Sequence, residues 1–340
     1  MTAEASALPD FDLSTTYLGL QLRTPLVASS GPLTARIDSL RALEAAGISA
    51  VVLPSLFEEQ VEHEDIQAAR LGDLGSDSNP EATSYFPDLA DYESVADRYL
   101  RHVEEAKKAL SIPVLASLNG ETSGGWVRYA RLLELAGADA IELNLYHLIT
   151  DPHVGAGEVE ADMLETVRSV TSTVKIPVAV KLSAFHTAPA QFAMALEEAG
   201  AAGVVVFNRF YQPDLNIEEL EVQPQLKLSD PSELLMRLRW LAIISPHLKG
   251  SLSATGGAHS ADDIAKAILA GAHTVQLVSV LLKHGPRVLS TLLNGLQHWM
   301  GEHGYTSVEE FRGAMNLSRC PDPAAFERAN YQRILQSWRV

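Results

Sequence analysis

The sequence predicts an α/β protein that folds as a (β/α)8 TIM barrel. Two observations carry this prediction: in four places a helix-like stretch ends in Ala-Gly and a short apolar run follows, and four further apolar runs of strand length lie elsewhere in the chain. Glycine after the last helical turn readily adopts the left-handed conformation that ends a helix. A nearly continuous Val/Ile/Leu run is typical of a parallel strand buried on both faces. Eight such alternating units within about 260 residues fit a closed barrel better than an open sheet.

The eight predicted strands fall into two groups. Four follow an Ala-Gly pair, at Ile48–Ser55, Ala138–Leu145, Ala201–Phe207 and Ala272–Val280. The other four lie at Pro25–Ser30, Ile112–Ser117, Ile176–Ser183 and Leu248–Ala254. Two of the second group begin with Ile-Pro, which favours entry into extended backbone. Between the strands, apolar residues recur at helical spacing, as at Val95, Tyr99, Val103 and Ala106.

The remaining segments complete a single predicted domain over residues 1–340. Ser14–Leu18 and Leu20–Arg23, which flank Gly19, predict a small hairpin that caps the bottom of the barrel. The barrel occupies about residues 24–300, and a helical tail follows over residues 301–340. Long connections follow the second strand (Leu56–Ala90) and the sixth (Phe210–Asp230). Both leave the strand ends at which barrel enzymes build their sites, so we expect them to act as lids.

Composition and charge narrow the range of partners. The chain has 26 Lys and Arg against 43 Asp and Glu, a formal net charge of −17, which opposes binding to nucleic acid and to anionic membranes. Its one cysteine, Cys320, cannot form an internal disulfide, which fits a reducing compartment. We find neither a signal-peptide pattern nor an apolar run long enough to span a membrane. We therefore expect a soluble cytoplasmic protein that acts on a small molecule.

Polar residues stand at the carboxyl end of nearly every predicted strand. One polar residue at a strand end is weak evidence, because strand ends meet solvent. Eight parallel strands, however, bring all their carboxyl ends to one rim of the barrel, so the set predicts a common site. In chain order the set is Ser29, Ser30, Gly31, Ser55, Ser117, Asn119, Asn144, Lys181, Asn208, Arg209, Thr255, Gly256, Gly257 and Ser279.

The end of the seventh strand has the features of a phosphate site. Thr255-Gly256-Gly257 is followed by a helix start at Ser260, and Ser279 stands at the end of the next predicted strand. Barrels commonly bind phosphate after strands 7 and 8, where glycines let backbone N–H groups approach the anion. A tight turn with a helix cap would explain the glycines alone, but the paired Ser279 favours phosphate.

Lys181 ends an apolar strand and is the strongest single candidate for chemistry. A lysine facing the barrel mouth is costly to desolvate unless an anion or a carboxylate meets it. It could stabilise negative charge on a reduced flavin, form a Schiff base with a carbonyl substrate, or make a purely structural ion pair, which we favour least. Asn119, Asn144 and Asn208 carry amides suited to the edges of a flat heterocycle.

The loop after the fourth strand offers a proton acceptor. His147 has an ordinary pKa close to neutral pH, and Tyr146 is the alternative. An exposed loop histidine with no catalytic role is an equally good explanation of His147. The acidic residues Glu58-Glu59 and Glu62–Asp65 indicate a solvated lid rather than a metal site, and we predict no metal centre.

Taken together and in order, these motifs resemble the dihydroorotate dehydrogenase family over roughly residues 13–317. No motif is specific alone, whereas the ordered set is. The matching motifs are Leu18-Gly19-Leu20, Thr24-Pro25-Leu26, Ala28–Gly31, Glu142–Leu145, Val180–Leu182, Phe207-Asn208, Ala254–Gly257, Gln276–Leu281 and Gly285-Pro286.

The resemblance implies an FMN enzyme that oxidises dihydroorotate to orotate for pyrimidine synthesis. Hydride would pass to the flavin while a loop base removes the neighbouring proton. It also implies a homodimer that uses a soluble electron acceptor such as fumarate or NAD. Asn144 and Asn208 would face the substrate. By position, the residues expected to contact FMN are Ser29, Ser30, Gly31, Ser55, Ser117, Asn119, Asn144, Lys181, Thr255, Gly256, Gly257 and Ser279.

The chain departs from the family pattern around the substrate. Where the family has a cysteine or serine base, this sequence reads Asn144-Leu145-Tyr146-His147, and the proline-asparagine pair that follows in the family is missing. The glycine pair expected around Leu228-Ser229 is gone, and Arg209 replaces a small hydroxyl residue. Four possibilities therefore stay open. Two are oxidation of dihydroorotate and oxidation of another small cyclic anion whose carboxylate Arg209 could bind. The others are a flavin-free lyase or aldolase that uses Lys181 as a Schiff base, and a flavin-binding protein that has lost turnover.

Overall fold

A closed barrel of eight parallel strands forms the centre of the structure. The structure is a computed structural model, and it describes residues 11–61, 63–64, 94–120, 123–145, 148–209, 212–328 and 330–337. In chain order the strands are β1 (Thr15–Tyr17), β2 (Leu20–Leu22), β3 (Leu26–Ala28), β4 (Ala50–Phe57), β5 (Val114–Asn119), β6 (Ala140–Leu145), β7 (Val178–Leu182), β8 (Gly203–Val206), β9 (Asp214–Asn216), β10 (Glu221–Gln223), β11 (Ser251–Thr255) and β12 (Thr274–Leu277). The barrel runs from β3 to β8 and then through β11 and β12, which pairs with β3. The predicted (β/α)8 barrel is confirmed.

All eight barrel strands overlap the predicted runs, because each run is buried on both faces. Every residue of β5, β6 and β7 is buried, as expected where helices cover the outside and side chains fill the inside. Most strand boundaries differ from the prediction by one to three residues, and one of these differences bears on the site. The prediction carried the last strand to Val280, but β12 ends at Leu277 and Ser279 begins a helix. A short apolar run does not by itself distinguish a strand from the first turn of a buried helix.

The helices between the strands pack on the outside of the barrel. Tyr99, Val103 and Ala106 are buried on one face of the helix after β4, as their spacing predicts, and Ser94 caps that helix by accepting from the Asp97 N–H. In chain order the α-helices with assigned bounds are α1 (Ile37–Ala45), α2 (Val95–Ala109), α3 (Ser123–Leu135), α4 (Ala156–Thr173), α5 (Pro189–Glu198), α6 (Leu234–Ile244), α7 (Ala261–Leu269), α8 (Ser279–His284), α9 (Val288–Glu302), α10 (Val308–Phe311) and α11 (Asn330–Gln336).

The predicted hairpin at the bottom of the barrel is present as the antiparallel pair β1 and β2. Leu18 and Gly19 both have positive φ, 53° and 78°, which is the backbone that a two-residue hairpin turn requires. Tyr17 is fully buried and packs with inward side chains such as Val52 and Leu115. The Leu18 N–H donates to Ser251 Oγ at 2.8 Å, which ties the hairpin to β11. The hairpin thus closes the end of the barrel opposite the predicted site.

The structure describes the two long connections to different extents, and it shows where the tail packs. Residues 58–61 and 63–64 are helical after β4, and most of the predicted lid Leu56–Ala90 lies outside the described residues. The connection after β8 contains the hairpin of β9 and β10. The tail packs back on the barrel's own helices: the Leu317 N–H donates to the Ala242 carbonyl and the Met315 N–H to the Leu269 carbonyl, both at 2.9 Å.

Two further features bear on function. Among the described residues we find no helix long and apolar enough to cross a membrane. The same part of the chain contains no group of three or more His, Cys, Asp or Glu placed to hold a metal ion.

Candidate active site

A cleft opens at the carboxyl ends of the barrel strands, where the sequence places the site. The cavity has a volume of about 130 Å³ and is open to solvent. Because parallel strands end together at one rim, residues that are far apart in sequence meet there. Ten predicted site residues line it: Ser29, Ser30, Gly31, Lys181, Asn208, Arg209, Thr255, Gly256, Gly257 and Ser279.

Lys181 lies at the base of this cleft in a closed ring of four buried side chains. Its Nζ donates to Glu142 Oε1 at 3.1 Å and to Ser29 Oγ at 3.2 Å. Gln276 joins the two acceptors, because its Nε2 donates to Glu142 Oε2 at 2.6 Å and its Oε1 accepts from Ser29 Oγ at 2.8 Å. The carboxylate that the desolvation argument demanded for Lys181 is therefore Glu142, on the neighbouring strand.

Four predicted residues stand beside this ring rather than on the cleft wall. Asn144 is the register partner of Lys181 across β6 and β7, so both side chains lie on the same face of the barrel wall. Its Nδ2 donates to Ser117 Oγ at 2.7 Å and to Ser55 Oγ at 3.3 Å. Asn119 is buried on β5, and its Oδ1 has no hydrogen-bond partner among the described residues. An unpartnered buried acceptor is costly, which indicates a missing donor.

The corner where the sequence predicts a phosphate is built on Gly256 and Gly257, both with φ of +89°. A Cβ on Gly256 would lie 2.9 Å from the Arg237 guanidinium, and one on Gly257 would lie 2.4 Å from the Leu234 N, so both positions require glycine. Ser229 bridges the corner: its N–H donates to Ser279 Oγ at 3.0 Å, and its Oγ accepts from the Gly257 N–H at 3.4 Å. This connection brings N–H and O–H groups together where an anion would sit.

Cations and one carboxylate shape the wall next to that corner. Arg209 donates to the Glu233 carboxylate through Nε at 3.2 Å and through a terminal nitrogen at 3.1 Å. Arg237 is buried, and its Nε donates to the Thr255 carbonyl at 2.6 Å. Burial lowers the pKa of Arg237, against the opposing effect of Glu233. Arg209, predicted to bind a substrate carboxylate, therefore already has an internal carboxylate partner.

The residues predicted to move a proton, Tyr146 and His147, lie outside the described residues. The sequence analysis assigned no site role to five residues that shape the described site: Glu142, Ser229, Glu233, Arg237 and Gln276. A signal was present for two of them, because a charged or amide residue within an otherwise apolar strand must have a partner inside the barrel. The other three belong to the segment around the start of α6, where the sequence has no such contrast.

The described residues fit a flat heterocycle that carries a phosphate. The cleft is lined both by the Gly256-Gly257 corner, which suits an anion, and by the buried Lys181 side chain. Asn208 lines the cleft, and its amide can pair with the edge of such a heterocycle.

Comparison with known proteins agrees with this geometry. The family model described as dihydroorotate dehydrogenase matches residues 90–300. A protein of Aeropyrum pernix named "Putative dihydroorotate dehydrogenase A (fumarate)" is 32% identical over 221 residues, which cover 62% of this chain and 69% of the relative. The chain belongs to the dihydroorotate dehydrogenase family.

Two further relatives show how broad the similarity is. The catalytic subunit of dihydroorotate dehydrogenase B (NAD(+)) from Methanothermobacter thermautotrophicus is 24% identical over 320 residues, covering 89% of this chain and 98% of the relative. A subunit of the NAD-dependent dihydropyrimidine dehydrogenase of Escherichia coli K12 is 27% identical over 222 residues, covering 61% of this chain and 54% of the relative. As a dihydroorotate dehydrogenase family member, the chain is an oxidoreductase that acts on CH–CH groups.

Proposed function

We propose that this protein is an FMN-dependent dehydrogenase that oxidises (S)-dihydroorotate to orotate in pyrimidine biosynthesis. The observation that carries the proposal is the single cleft in which a buried lysine and a glycine phosphate corner face one space. Family membership supports the reaction type. Oxidation of a CH–CH bond removes two electrons and two protons, so the site must hold an acceptor for a hydride and a group that takes the remaining proton.

The described residues divide the binding of FMN between them. Gly256, Gly257 and Ser279 would hold the phosphate through N–H and O–H groups. Lys181, with Asn119 and Asn144, would meet the polar edge of the ring, and bound FMN would supply the hydride acceptor. Ser55 and Ser117 hold the Asn144 amide in place by accepting from its Nδ2. Ser29, Ser30, Gly31 and Thr255 would complete the wall on the β3 and β11 side.

The chain's own residues would orient the substrate and take its proton. Asn144 and Asn208 would bind the ring amides of the substrate. His147 would accept the proton that leaves the carbon, since imidazole is a competent base near neutral pH, and Tyr146 is the alternative. Arg209 would bind a substrate carboxylate while it remains paired with Glu233.

One sequence feature favours a second substrate. The stretch Asn144-Leu145-Tyr146-His147 lacks the base of the family, and relatives of this chain include dihydropyrimidine dehydrogenase subunits as well as dihydroorotate dehydrogenases. A different small cyclic substrate, anionic if Arg209 binds it, is therefore the second candidate. Family membership favours an oxidoreductase over the lyase alternative, and Lys181 is engaged by the Glu142 carboxylate rather than left free to attack a carbonyl.

The deciding experiment uses the purified protein without added flavin. A yellow protein that releases FMN on denaturation supports the cofactor, and a colourless protein that cannot be loaded with FMN contradicts it. The yellow protein is then mixed anaerobically with dihydroorotate or with dihydrouracil, which lacks the carboxylate. Loss of the flavin absorbance with dihydroorotate alone supports the first substrate. Loss with dihydrouracil alone, or with neither, rejects it.

Two variants identify the base. If His147 accepts the proton, His147→Ala lowers the rate of anaerobic flavin reduction by about 10²- to 10⁴-fold, whereas Tyr146→Phe leaves it close to the wild-type rate. The opposite pattern assigns the role to Tyr146. Unchanged rates in both variants contradict either assignment.

The proposal extends to the electron acceptor, the assembly and the location of the protein. Fumarate and NAD are the acceptors to test first, because the names of two relatives contain them. The family resemblance also carries the proposal of a homodimer. The single cysteine fits work in the cytoplasm.

A further inference from the structure

Glu142 is the most deeply buried charged side chain of the candidate site, and the roles proposed so far leave it without a function. It lies on β6 with none of its surface exposed, two residues before Asn144 and therefore on the same inward face. A buried carboxylate is very costly unless cations and hydrogen-bond donors meet it. Here Lys181 meets Oε1 at 3.1 Å and Gln276 meets Oε2 at 2.6 Å, so both oxygens are satisfied.

The ring around Glu142 also fixes the direction of Lys181. An ammonium has three N–H donors, and Glu142 and Ser29 accept two of them. The third donor remains for whatever occupies the cleft, because Lys181 lines that cleft. A lysine side chain has several freely rotating bonds, so without these two acceptors its ammonium would have no single position.

The ring sets the charge beneath the cleft as well as its geometry. Lys181 contributes +1 and Glu142 contributes −1, while Ser29 and Gln276 are neutral, so the four side chains together are neutral. With a neutral residue in place of Glu142, the same ring would present +1 to the ligand. At the short distances within a barrel interior, one unit of charge changes the electrostatic interaction energy with the ligand by much more than thermal energy.

We propose that Glu142 is a positioning residue for Lys181 and that its charge holds down the reduction potential of the bound flavin. This inference rests on the proposed function, since it requires FMN in the cleft. Two-electron reduction adds negative charge to the ring system that Lys181 faces. A neutral ring of side chains stabilises that charge less than a lysine with no carboxylate partner would, which favours passing the electrons on to the acceptor.

The test is Glu142→Gln, which keeps the shape of the side chain and removes its charge. The Gln276 amide can turn over to accept from the new NH₂ group, so the ring can stay closed. We expect the equilibrium between oxidised and reduced flavin to shift about tenfold toward the reduced form, a rise of about 30 mV in the two-electron midpoint potential. Sulfite, an anion that adds to oxidised flavin, should bind about tenfold more tightly.

A matched control and a double variant separate charge from disruption. Asp139→Asn removes the carboxylate of another lysine pair, Lys107–Asp139, which is partly exposed and outside the cleft, so the potential should not change. In a Lys181→Met protein, adding Glu142→Gln should shift the potential less than it does in the wild type, because the part of the effect that depends on the position of Lys181 is absent. Glu142→Asp, which keeps the charge but withdraws it from Lys181, should shift the potential in the same direction by less.

The outcomes are distinct. A wild-type protein that cannot be loaded with FMN overturns the proposed function and this inference with it. A wild-type flavoprotein whose potential and sulfite affinity stay the same in Glu142→Gln overturns only this inference. If Glu142→Gln does not fold, an unchanged or lower potential in Glu142→Asp has the same meaning.

Discussion

His273, at the base of β12, is a histidine that the folded protein keeps neutral. The Leu252 N–H donates to its Nδ1 at 3.0 Å, and an Arg312 terminal nitrogen lies 2.8 Å from its Nε2. A charged imidazole carries N–H on both nitrogens and would face two donors. Burial, together with the charge of Arg312, lowers the pKa of His273 to about 4, and the opposing effect of Glu309 is smaller.

This makes the stability of the fold dependent on pH through His273. In the unfolded chain the imidazole takes up a proton below its ordinary pKa of about 6.5, whereas the folded state takes one up only near pH 4. His273 therefore contributes to the free energy of unfolding above pH 6.5. This contribution decreases by up to about 3 kcal/mol as the pH falls to 4. We expect His273→Asn, which keeps an acceptor for the Leu252 N–H, to remove this part of the pH dependence of unfolding by urea. His298→Asn, an exposed control, should match the wild type, and equal slopes in all three proteins would contradict the assignment.

At the scale of residues, the sequence indicated which side chains gather but not how they pair. Lys181 could be singled out because a charge that ends an apolar strand needs a partner. The identity of that partner depends on register, which places Asn144 opposite Lys181 and leaves Glu142 within reach of its ammonium. For Arg209 the sequence indicated a cation at the rim, but the internal partner Glu233 lies 24 positions away and is brought close only by the fold.

Among the elements, the hairpin of β1 and β2 packs beneath the candidate site, at the opposite end of the barrel. The Tyr17 side chain fills the lower interior of the barrel. Within the part of the chain that the structure describes, its buried hydroxyl has no hydrogen-bond partner, although Gln276 and Ser253 are near. Burial, to which the charge of Glu142 adds, raises the pKa of Tyr17, so the hydroxyl stays protonated. The hairpin thus supports the four hydrogen-bonded side chains around Lys181 through packing rather than through hydrogen bonds.

Two substitutions test this role of Tyr17. Tyr17→Phe removes only the unpartnered hydroxyl, so the free energy of unfolding should stay the same or rise. Tyr17→Ala opens a cavity in the barrel and should lower it by about 3 to 5 kcal/mol. Both values come from urea unfolding followed by circular dichroism. A loss of more than about 1 kcal/mol in Tyr17→Phe would mean that the hydroxyl has a partner after all.

The order of elements followed from the sequence more completely than their ends. Burial on both faces gives each barrel strand a short apolar run, and helix-like stretches alternate with these runs, which is why all eight strands could be placed. Ser279 shows the limit. Val278-Ser279-Val280 has the composition of a strand, yet the chain turns into α8 after Leu277, and there Ser279 Oγ accepts the Ser229 N–H. That contact depends on the connection after β8, which no local pattern specifies.

At the scale of the whole molecule, the hairpin of β9 and β10 stands out because it exposes apolar side chains beside the mouth of the cleft. Leu215 and Val222 are register partners, so they share one face, and Ile217 and Leu220 lie at the turn. Each is about two thirds or more exposed. Leu226, a few residues on, is similarly exposed and also lines the cleft. A cluster of exposed apolar side chains of this kind marks an interface more often than free surface.

We expect this hairpin to be the surface through which the proposed homodimer forms. A second copy would bury the same apolar face, which a twofold axis makes self-complementary, and would bring its bulk close to the cleft. Light scattering coupled to size-exclusion chromatography should give the mass of two chains for the wild type and of one for Leu215→Lys/Val222→Lys. Leu135→Lys, which charges an equally exposed leucine at the end of α3, should remain dimeric. A wild type of single-chain mass at micromolar concentration would exclude the dimer, and a dimeric double variant would move the interface to another face.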